Sequence, residues 1–434
     1  MNGAGMSERD PAADPSVPTN PFDLTSQQRA HVEEIRAIAA SKLTGLVRSG
    51  KEGQVNRELL AAMGHHGLLP ALFSGVGTDQ PTTQGAALDL CLLREGLASI
   101  STEAETALAQ QGLGGYPILQ SGGPEFVEAW IPAIARGEAV AAFALSEPSA
   151  GSDAVALELS ATAAGDGWCL SGEKIWISNA PEADIYTIFA RTTVGAGARG
   201  VTAFALPADR PGVGGEPLKL LAPHPIGRLL LDGVRVGRDD VLGEVDNGFR
   251  VAMRTLDLFR PSVGAFAVGM GQAALDATVT YTRERQIFGG PLGDQQAVAH
   301  PLADMATGFE AARLLVYAAA AAHDPGAKPS DTTRRAQALC HRDRSAGYRC
   351  RIAATWCPGL STREPDRSPL SRSTGNAYLR GRLGSTTDHH RAGAAPMRAR
   401  CAGRRAEARV PGMHLTTSST SRNQPFRPTG EPSR

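Results

Sequence analysis

The sequence predicts an α+β fold in which a helical domain, a β-sheet domain and a second helical domain follow one another. Apolar residues recur at helical spacing near the N-terminus, short β-type runs broken by turn residues begin at Ala139, and a helical period returns after Asn247-Gly248. We therefore expect five segments: a disordered N-terminus at 1–25, a helical domain at 26–137, a β-sheet domain at 138–243, a helical domain at 244–330 and a tail at 331–434.

The first helical domain follows a segment rich in Pro, Asp and Ser, a composition typical of disorder. Thr25-Ser26 is a suitable helix start. Apolar residues then recur on one helix face, at Val32, Ile35, Ile38, Leu43 and Leu46. Further helical patterns lie at 54–63, 85–99 and 124–135, so the sequence predicts an all-helical block.

The β-sheet domain is predicted from short runs separated by Gly, Pro, Asn and Asp. These runs lie at 139–145, 156–163, 168–177, 184–191, 200–206 and 229–236. Two long helical patterns follow, at 249–286 and from Asp294 to about His323. Helices of this length favour a packed bundle, which is incomplete here because the pattern ends near residue 330.

Composition changes sharply at the tail. Residues 331–434 contain 20 Arg, no Lys and 7 acidic residues, a net charge of about +13, whereas residues 1–330 carry about −13. Four of the six cysteines lie in the tail, and a body with only Cys91 and Cys169 is typical of a reducing compartment. No apolar run reaches the roughly 18 residues that span a bilayer, and the N-terminus lacks a signal-peptide pattern. We expect a cytoplasmic protein without a membrane partner.

The first stretch that could carry chemistry is Phe143-Ala-Leu-Ser-Glu-Pro-Ser-Ala-Gly-Ser-Asp153, which joins a predicted strand to a loop rich in hydroxyl groups. Pro148 restricts the backbone and Gly151 permits a close backbone approach, so Ser146 and Ser152 could face a ligand. The alternative is an ordinary Ser/Gly turn.

Two further stretches could each bind a ligand or have an ordinary structural role. Lys174-Ile-Trp-Ile-Ser-Asn179 would place Trp176 and Ser178 on the same sheet, where the indole could face a planar cofactor or belong to the core. Arg283-Glu-Arg-Gln-Ile-Phe-Gly-Gly-Pro-Leu-Gly-Asp-Gln-Gln296 separates the two long helices. Its Arg285 is suited to pair with a phosphate, or is a solvated charge at a helix end.

Together, these stretches resemble the acyl-CoA dehydrogenase family, in order and in spacing, over roughly residues 25 to 325. The segment Asp232 to Phe249 is similar to the family's passage from sheet to helix, and Pro301 to Ala306 to its following helix. The resemblance implies an FAD enzyme that desaturates an acyl thioester between Cα and Cβ. Acyl-CoA is the expected substrate, with an acyl-carrier protein as the alternative carrier, and the expected electron acceptor is an electron-transferring flavoprotein or a similar protein.

The resemblance also implies positions for the site residues. Those expected to line the flavin are Phe143, Leu145, Ser146, Gly151, Ser152, Trp176, Ile177 and Ser178. Those expected to reach the FAD of a neighbouring subunit, which implies a homodimer or homotetramer, are Arg285, Phe288, Gln295 and Gln296. Those expected on the substrate side are Ser152, Asp257 and Arg260. No metal site is expected.

The reaction needs a carboxylate that removes the Cα proton. One branch of the family places a glutamate just before the arginine that matches Arg260, but this chain has Phe259 there, which cannot accept a proton. The commoner branch places it near the C-terminus in a Tyr-Glu-Gly motif, which this chain lacks. We therefore assign no catalytic base.

The composition of the tail suggests why the motif is missing. Arg without Lys, mixed with Ser, Pro, Cys, His and Gly, is what GC-rich DNA encodes when it is read out of frame. Codons permitted for Asn376 to Arg391, shifted forward by one base, encode a Tyr-Glu-Gly motif whose glutamate codon straddles Arg380 and Gly381. The same shift gives three more family motifs in family order, so we hypothesise a one-base frameshift near residues 330–337.

The sequence also allows functions other than that of a dehydrogenase. The chain could be a flavin-binding protein without dehydrogenase activity. Its Arg-rich tail could bind nucleic acid by releasing counterions, but the tail lacks interleaved aromatics, and we expect no nucleic-acid partner. A zinc site from Cys350, Cys357, His389 and His390 fits no compact ligand spacing.

Overall fold

The computed structural model describes residues 24–73, 86–220 and 223–323. The expectations of a disordered N-terminal segment and of an out-of-frame tail at 331–434 concern residues outside these ranges, apart from Leu24 and Thr25.

The first block is helical. A capping box starts α1, since the Gln28 backbone N–H donates to Thr25 Oγ1 at 3.1 Å and the Thr25 N–H donates to Gln28 Oε1 at 2.9 Å. A π-helical turn at Ala39–Leu43 joins α1 to α2. The helices are α1 (Ser26–Ile38), α2 (Thr44–Ser49), α3 (Arg57–His65), α4 (Leu68–Leu72), α5 (Ala86–Ala98), α6 (Thr102–Ser121) and α7 (Pro124–Ala135).

Helix α6 has no counterpart among the helices expected from the sequence. Ser101 caps it by accepting the Ala104 N–H at 3.1 Å. Its glycines allow close packing, because a Cβ on Gly114 would lie only 2.5 Å from the Ala142 backbone nitrogen. The helix therefore rests directly on the first strand of the sheet.

Within the described ranges, eight strands form one sheet. They are β1 (Ala141–Ala144), β2 (Ser160–Ala164), β3 (Gly167–Ser178), β4 (Ile185–Arg191), β5 (Val201–Pro207), β6 (Val213–Pro217), β7 (Ile226–Val236) and β8 (Val241–Leu242). The order is β6-β7-β3-β2-β4-β5-β8, and β1 adds to β4 in parallel, with Ala141 opposite Ile185. Strands β3 and β7 pair antiparallel, with a bulge between Lys174 and Ile177. Short 3₁₀ turns lie at Ala154–Ala156 and Gly197–Gly200.

The last described block is helical again. It consists of α8 (Gly248–Glu284), a small hairpin of β9 (Gln286–Ile287) and β10 (Gly290–Pro291), a 3₁₀ turn at Leu292–Asp294, and α9 (Gln296–His323). Helix α8 packs against α5, α6 and α9, and Phe259, Val268 and Val316 belong to their shared core. The predicted fold class is thus confirmed. Any continuation of the expected bundle beyond His323 lies outside the described residues.

None of the described helices combines the length and the apolarity needed to cross a bilayer.

Candidate functional site

The loop that follows β1 is fastened to β3 by several hydrogen bonds. The Ile175 N–H donates to the Ser146 carbonyl at 3.0 Å, and Lys174 Nζ donates to the Leu145 carbonyl at 3.1 Å. Within the loop, Glu147 and Ala150 exchange backbone hydrogen bonds of 2.9 and 3.2 Å. Ser146 is therefore held in one place at the edge of the sheet.

A buried ion pair anchors the same loop. Lys174 Nζ lies 2.7 Å from Glu147 Oε1, and these residues are 0% and 5% exposed. The Glu147 carboxylate also accepts the Glu158 and Leu159 backbone N–H groups, at 2.5 and 3.0 Å. Burial lowers the pKa of Lys174 to about 8, although the Glu147 charge opposes that shift. The desolvated pair thus holds the loop on both sides of Ser146, at Leu145 and at Glu147.

Next to this loop, β3 leaves regular strand geometry. Trp176 and Asn179 have φ angles of 62° and 67°, a left-handed conformation that non-glycine residues rarely adopt. Asn179 is held there because its side-chain N–H donates to the Ala141 carbonyl at 2.8 Å. Trp176 is 56% exposed, which excludes the alternative that it is a core residue. The bulge thus presents the indole, Ile177 and Ser178 to the same side as the loop.

A histidine lies behind Ser178. His224 Nε2 is 2.9 Å from Ser178 Oγ, and burial lowers the pKa of the imidazole, which favours its neutral form. His224 Nδ1 is buried and has no hydrogen-bond partner among the residues that the structure describes. Nothing in the sequence pointed to this contact, which joins residues 46 positions apart.

The opposite wall of the site comes from two helices. Phe249, Met253, Leu256 and Arg260 follow one another at intervals of three or four residues, so they share one face of α8. Helix α6 adds Gln110 and Leu113. Together with the sheet residues they line an open cavity of about 460 Å³.

Most of the predicted site residues meet at this cavity. Its lining includes Phe143, Leu145, Ser146, Gly151, Ser152, Trp176, Ile177, Ser178 and Arg260. The sequence did not reveal Gln110 and Leu113 of α6, Phe249, Met253 and Leu256 of α8, or Asp153, Ala154 and Val155, which also line the cavity. The helical spacing of the α8 residues is the signal that could have identified them.

The other predicted residues lie apart from the lining. Asp257 binds Arg260, with 2.5 Å between Oδ1 and Nη1, but is not itself in the cavity wall. The stretch from the end of α8 to the start of α9 carries the four other predicted residues, Arg285, Phe288, Gln295 and Gln296. Phe288 is 91% exposed there, with a φ of 52°, and the exposed Arg285 fits both of its alternatives.

The position of Phe259 is closed to a substrate. This residue is 4% exposed, its ring stacks edge-on against Tyr116 with 6.2 Å between centroids, and Gly112 lies against the ring. Among the described residues that line the cavity, the one carboxylate is that of Asp153, on the exposed loop. The buried Glu105 is bound to Arg94, with 2.5 Å between Oε1 and Nε, and burial raises its pKa. The described part of the site therefore offers no enclosed, free carboxylate.

The lining suits a planar, mixed-polarity ring system such as the flavin expected from the sequence. Phe143, Leu145 and Ile177 supply apolar surface, while Ser146, Ser152 and Ser178 supply hydroxyl groups at its edge. The exposed indole of Trp176 offers a stacking face. Among the described residues, no group of three or more His, Cys, Asp or Glu side chains could hold a metal ion.

Comparisons with known proteins give one consistent family between residues 25 and 345. Three family models match in order: "Acyl-CoA dehydrogenase, N-terminal domain" over residues 25–138, the middle domain over 142–234 and the C-terminal domain over 246–345. A probable acyl-CoA dehydrogenase, FadE25, of Mycobacterium tuberculosis is 37% identical over 316 residues, which cover 70% of this chain and 79% of the relative. A glutaryl-CoA dehydrogenase of Desulfococcus multivorans is 38% identical over 315 residues, 70% of this chain and 80% of the relative.

Solved structures of two acyl-CoA dehydrogenases are similar in fold to this chain. A glutaryl-coenzyme A dehydrogenase in complex with glutaryl-CoA has a TM-score of 0.74 at 31% identity, with 83% of this chain and 92% of that chain covered. Butyryl-CoA dehydrogenase from Megasphaera elsdenii has a TM-score of 0.74 at 29% identity, with 86% and 100% covered.

Proposed function

Because the chain belongs to the acyl-CoA dehydrogenase family, we propose that its cavity binds FAD and an acyl-CoA thioester, and that the enzyme desaturates the acyl group between Cα and Cβ. The main support for the proposal is that the loop after β1, the bulge of β3 and one face of α8 all line the same cavity. An acyl-carrier protein remains the alternative carrier of the acyl group.

The residues of the sheet would hold the cofactor. Ser146, Ser152 and Ser178 would hydrogen-bond polar edges of the ring system, and Trp176 would cover one of its faces. The chemistry that FAD supplies when bound is acceptance of a hydride from Cβ. The Lys174–Glu147 pair would hold the loop that carries Ser146 and Ser152, so that these two hydroxyl groups are positioned before the cofactor binds.

The helical wall would hold the substrate. Met253, Leu256 and Leu113 give an apolar surface for an acyl chain, and Arg260, fixed by Asp257, adds a positive charge at the cavity. Closure of the cavity by these side chains would exclude water from the Cα proton. Ser152 lies on the loop side, where it would contact both ligands.

Removal of the Cα proton requires a base that no described residue supplies. We propose that the missing glutamate belongs to the frame-shifted part of the gene, after residues 330–337, and that the chain as written is impaired for this reason. The matched span of the curated relatives, 79% of FadE25, is compatible with a segment of family sequence replaced by the tail. Resequencing tests this point: an uninterrupted original frame, together with tail peptides found by mass spectrometry, contradicts it.

We further propose that the functional form is a homodimer or homotetramer. Phe288 projects from a hairpin tip and is almost fully exposed, which suits a side chain that contacts a second subunit. Arg285, Gln295 and Gln296 flank the same hairpin and would reach the FAD of the neighbour. Electrons would then pass to an electron-transferring flavoprotein or a similar acceptor.

The deciding experiment compares two full-length proteins, the 434-residue chain as written and a version with the frame restored. We expect the restored protein to retain FAD and to lose its yellow colour when an acyl-CoA is added without oxygen. General-base catalysis contributes roughly 10²- to 10⁴-fold, so the chain as written should reduce its flavin slower by at least about 100-fold. A restored protein that folds but binds no FAD would overturn the proposal.

A second candidate is a flavin-binding protein without dehydrogenase activity. It is favoured by one observation, the absence of an enclosed free carboxylate from the described part of the cavity. Bound yellow flavin that no acyl-CoA in a panel of chain lengths bleaches, even in the frame-restored protein, would support this candidate over the first.

A further inference from the structure

We propose that His224 is a positioning residue of the flavin site, which fixes the orientation of the Ser178 hydroxyl group from behind. This inference rests on the proposed function, since Ser178 is one of the residues assigned to the cofactor. It adds a residue from outside the cavity lining, in the stretch 223–226, none of whose side chains lines the cavity.

The first observation is the contact itself. A serine hydroxyl has one hydrogen and rotates freely unless a partner fixes it. His224 Nε2 lies 2.9 Å from Ser178 Oγ, within hydrogen-bonding distance, and Ser178 is part of the cavity wall. Whichever atom donates, one hydrogen-bonding position of the hydroxyl group is then occupied, and the remaining positions are left for a ligand in the cavity.

The second observation is the rigidity of the segment that carries the imidazole. His224 lies between Pro223 and Pro225, and each proline restricts its own φ while Pro225 also disfavours helical backbone at His224. The Gly53 N–H donates to the Pro223 carbonyl at 3.2 Å, and the Asn179 N–H donates to the Pro225 carbonyl at 3.0 Å. The backbone is thus tied on both sides of the histidine.

The third observation links the two halves of the contact. Asn179, which binds Pro225, directly follows Ser178, and Ser178 pairs with Ile226 at the start of β7. The pairing of β3 with the start of β7 therefore holds the backbone of Ser178 next to the segment that carries His224. The left-handed φ of 67° at Asn179 is part of this arrangement.

The imidazole is partly buried, so the contact with Ser178 is shielded from solvent in part. Desolvation lowers the pKa of His224, which favours the neutral ring, and a neutral ring can share one proton with the hydroxyl group. Of the two ring nitrogens, Nε2 is the one to which the structure gives a partner, the Ser178 hydroxyl group, whereas Nδ1 has none among the described residues.

The test is a double-mutant cycle on FAD affinity, measured by fluorescence titration of the frame-restored, full-length protein. His224→Leu removes the hydrogen bond but keeps apolar bulk, whereas His224→Gln places an amide group near the position of Nε2. We expect His224→Leu to weaken FAD binding by about 3- to 10-fold, the effect of one hydrogen bond, and to change the shape of the visible flavin band. His224→Gln should lose less than about 2-fold.

The cycle separates a positioning role from a merely structural one. In the Ser178→Ala background, His224→Leu should cause no further loss, because the group through which it acts is gone. Equal losses in both backgrounds, wild-type affinity in His224→Leu, or a His224→Gln loss as large as that of His224→Leu would each overturn the inference. Failure of the unsubstituted protein to bind FAD would instead contradict the proposed function itself.

A second measurement keeps the inference testable if His224→Leu fails to fold. NMR spectra of the flavin-free full chain, labelled at the histidine nitrogens and assigned with His224→Gln, should show that Ser178→Ala shifts the His224 signals. Unchanged His224 signals would show that the hydrogen bond is not formed, and the inference would then be wrong.

Discussion

At Trp176, an unfavourable backbone conformation coincides with an exposed aromatic side chain. Its φ of 62° is an unfavourable backbone conformation. Because the residue is 56% exposed, burial of its side chain offsets little of that cost in free energy. Strain of this kind persists where the surrounding structure imposes it, here through the β3 bulge and the bonds of Asn179. We interpret the strain as part of the binding site.

Replacement of Trp176 should therefore separate stability from binding. We expect Trp176→Gly to change the free energy of unfolding by less than about 1 kcal/mol, because relief of strain offsets the lost contacts and the added chain entropy. FAD affinity should fall by roughly 10-fold with the loss of the stacking face. Urea unfolding and fluorescence titration measure the two effects.

Trp168 on the same strand provides the matched control. Its ring packs against Phe204 with 5.6 Å between centroids, so Trp168→Gly should cost about 2 kcal/mol or more of stability. A Trp176→Gly protein destabilised as strongly as Trp168→Gly would show that the indole has a packing role.

The Lys174–Glu147 pair leads to a second residue-scale prediction. Glu147→Gln leaves a fully buried ammonium group without its counter-charge, which should cost about 3 kcal/mol or more and lower the urea midpoint. The isosteric change Glu138→Gln removes an exposed partner of Arg136 and should leave the midpoint unchanged. Similar midpoints for both variants would contradict the role assigned to the buried pair.

At the scale of elements, α6 determines how the helical block meets the sheet. Gly114 brings the helix backbone against Ala142 of β1, and Gln110 and Leu113 of the same helix line the cavity. The helix is thus both a structural contact and a wall of the site.

A methyl group at this contact should be costly. Gly114→Ala would place its Cβ 2.5 Å from a backbone nitrogen, so we expect a loss of about 1–3 kcal/mol from displacement of the helix. Gly45→Ala in α2 meets no atom within 4 Å and should stabilise the protein by about 0.5–1 kcal/mol through helix propensity. Thermal unfolding of both variants measures this, and equal shifts in the same direction would rule out the steric explanation.

Strands and helices of this chain differ in how clearly their sequences predict them, for physical reasons. The strands were recognisable because β-type runs such as 184–191 end at turn residues, and the observed β4 covers Ile185–Arg191. Helix α6 was missed because Gly112, Gly114 and Pro117 suppress helix propensity, while its burial between α8 and the sheet overrides that preference. Propensity is local, but the packing that outweighs it is not.

At the scale of the whole molecule, the order of helices, sheet and helices was predicted correctly, and the resemblance to the acyl-CoA dehydrogenase family is confirmed. The part of the site next to the sheet could be predicted from motifs, because its loop residues, such as Ser146 and Ser152, are close to one another in sequence. The helical wall of the site could not be predicted in this way, because Leu113 and Met253 are far apart in sequence and meet only where α6 packs on α8. His224 shows the same limit, because no local pattern marks its contact with Ser178.

The frameshift proposal makes a prediction for the whole chain. If residues 331–434 are out of frame, their deletion should leave the thermal midpoint of the protein unchanged, whereas restoration of the frame should raise it through added packing on α8 and α9. Calorimetry of three proteins, the chain as written, the deletion variant and the frame-restored chain, measures their thermal midpoints. A lower midpoint after deletion would show that the tail as written contributes to the fold.

The close contact between α6 and β1 also bears on how substrate preference can change over evolutionary time. Because main chain touches main chain at Gly114, the distance between the two walls of the cavity resists adjustment by point mutation. New acyl preferences are then expected to arise by exchange of the side chains at Gln110, Leu113, Met253 and Leu256, which can vary in size without moving either backbone.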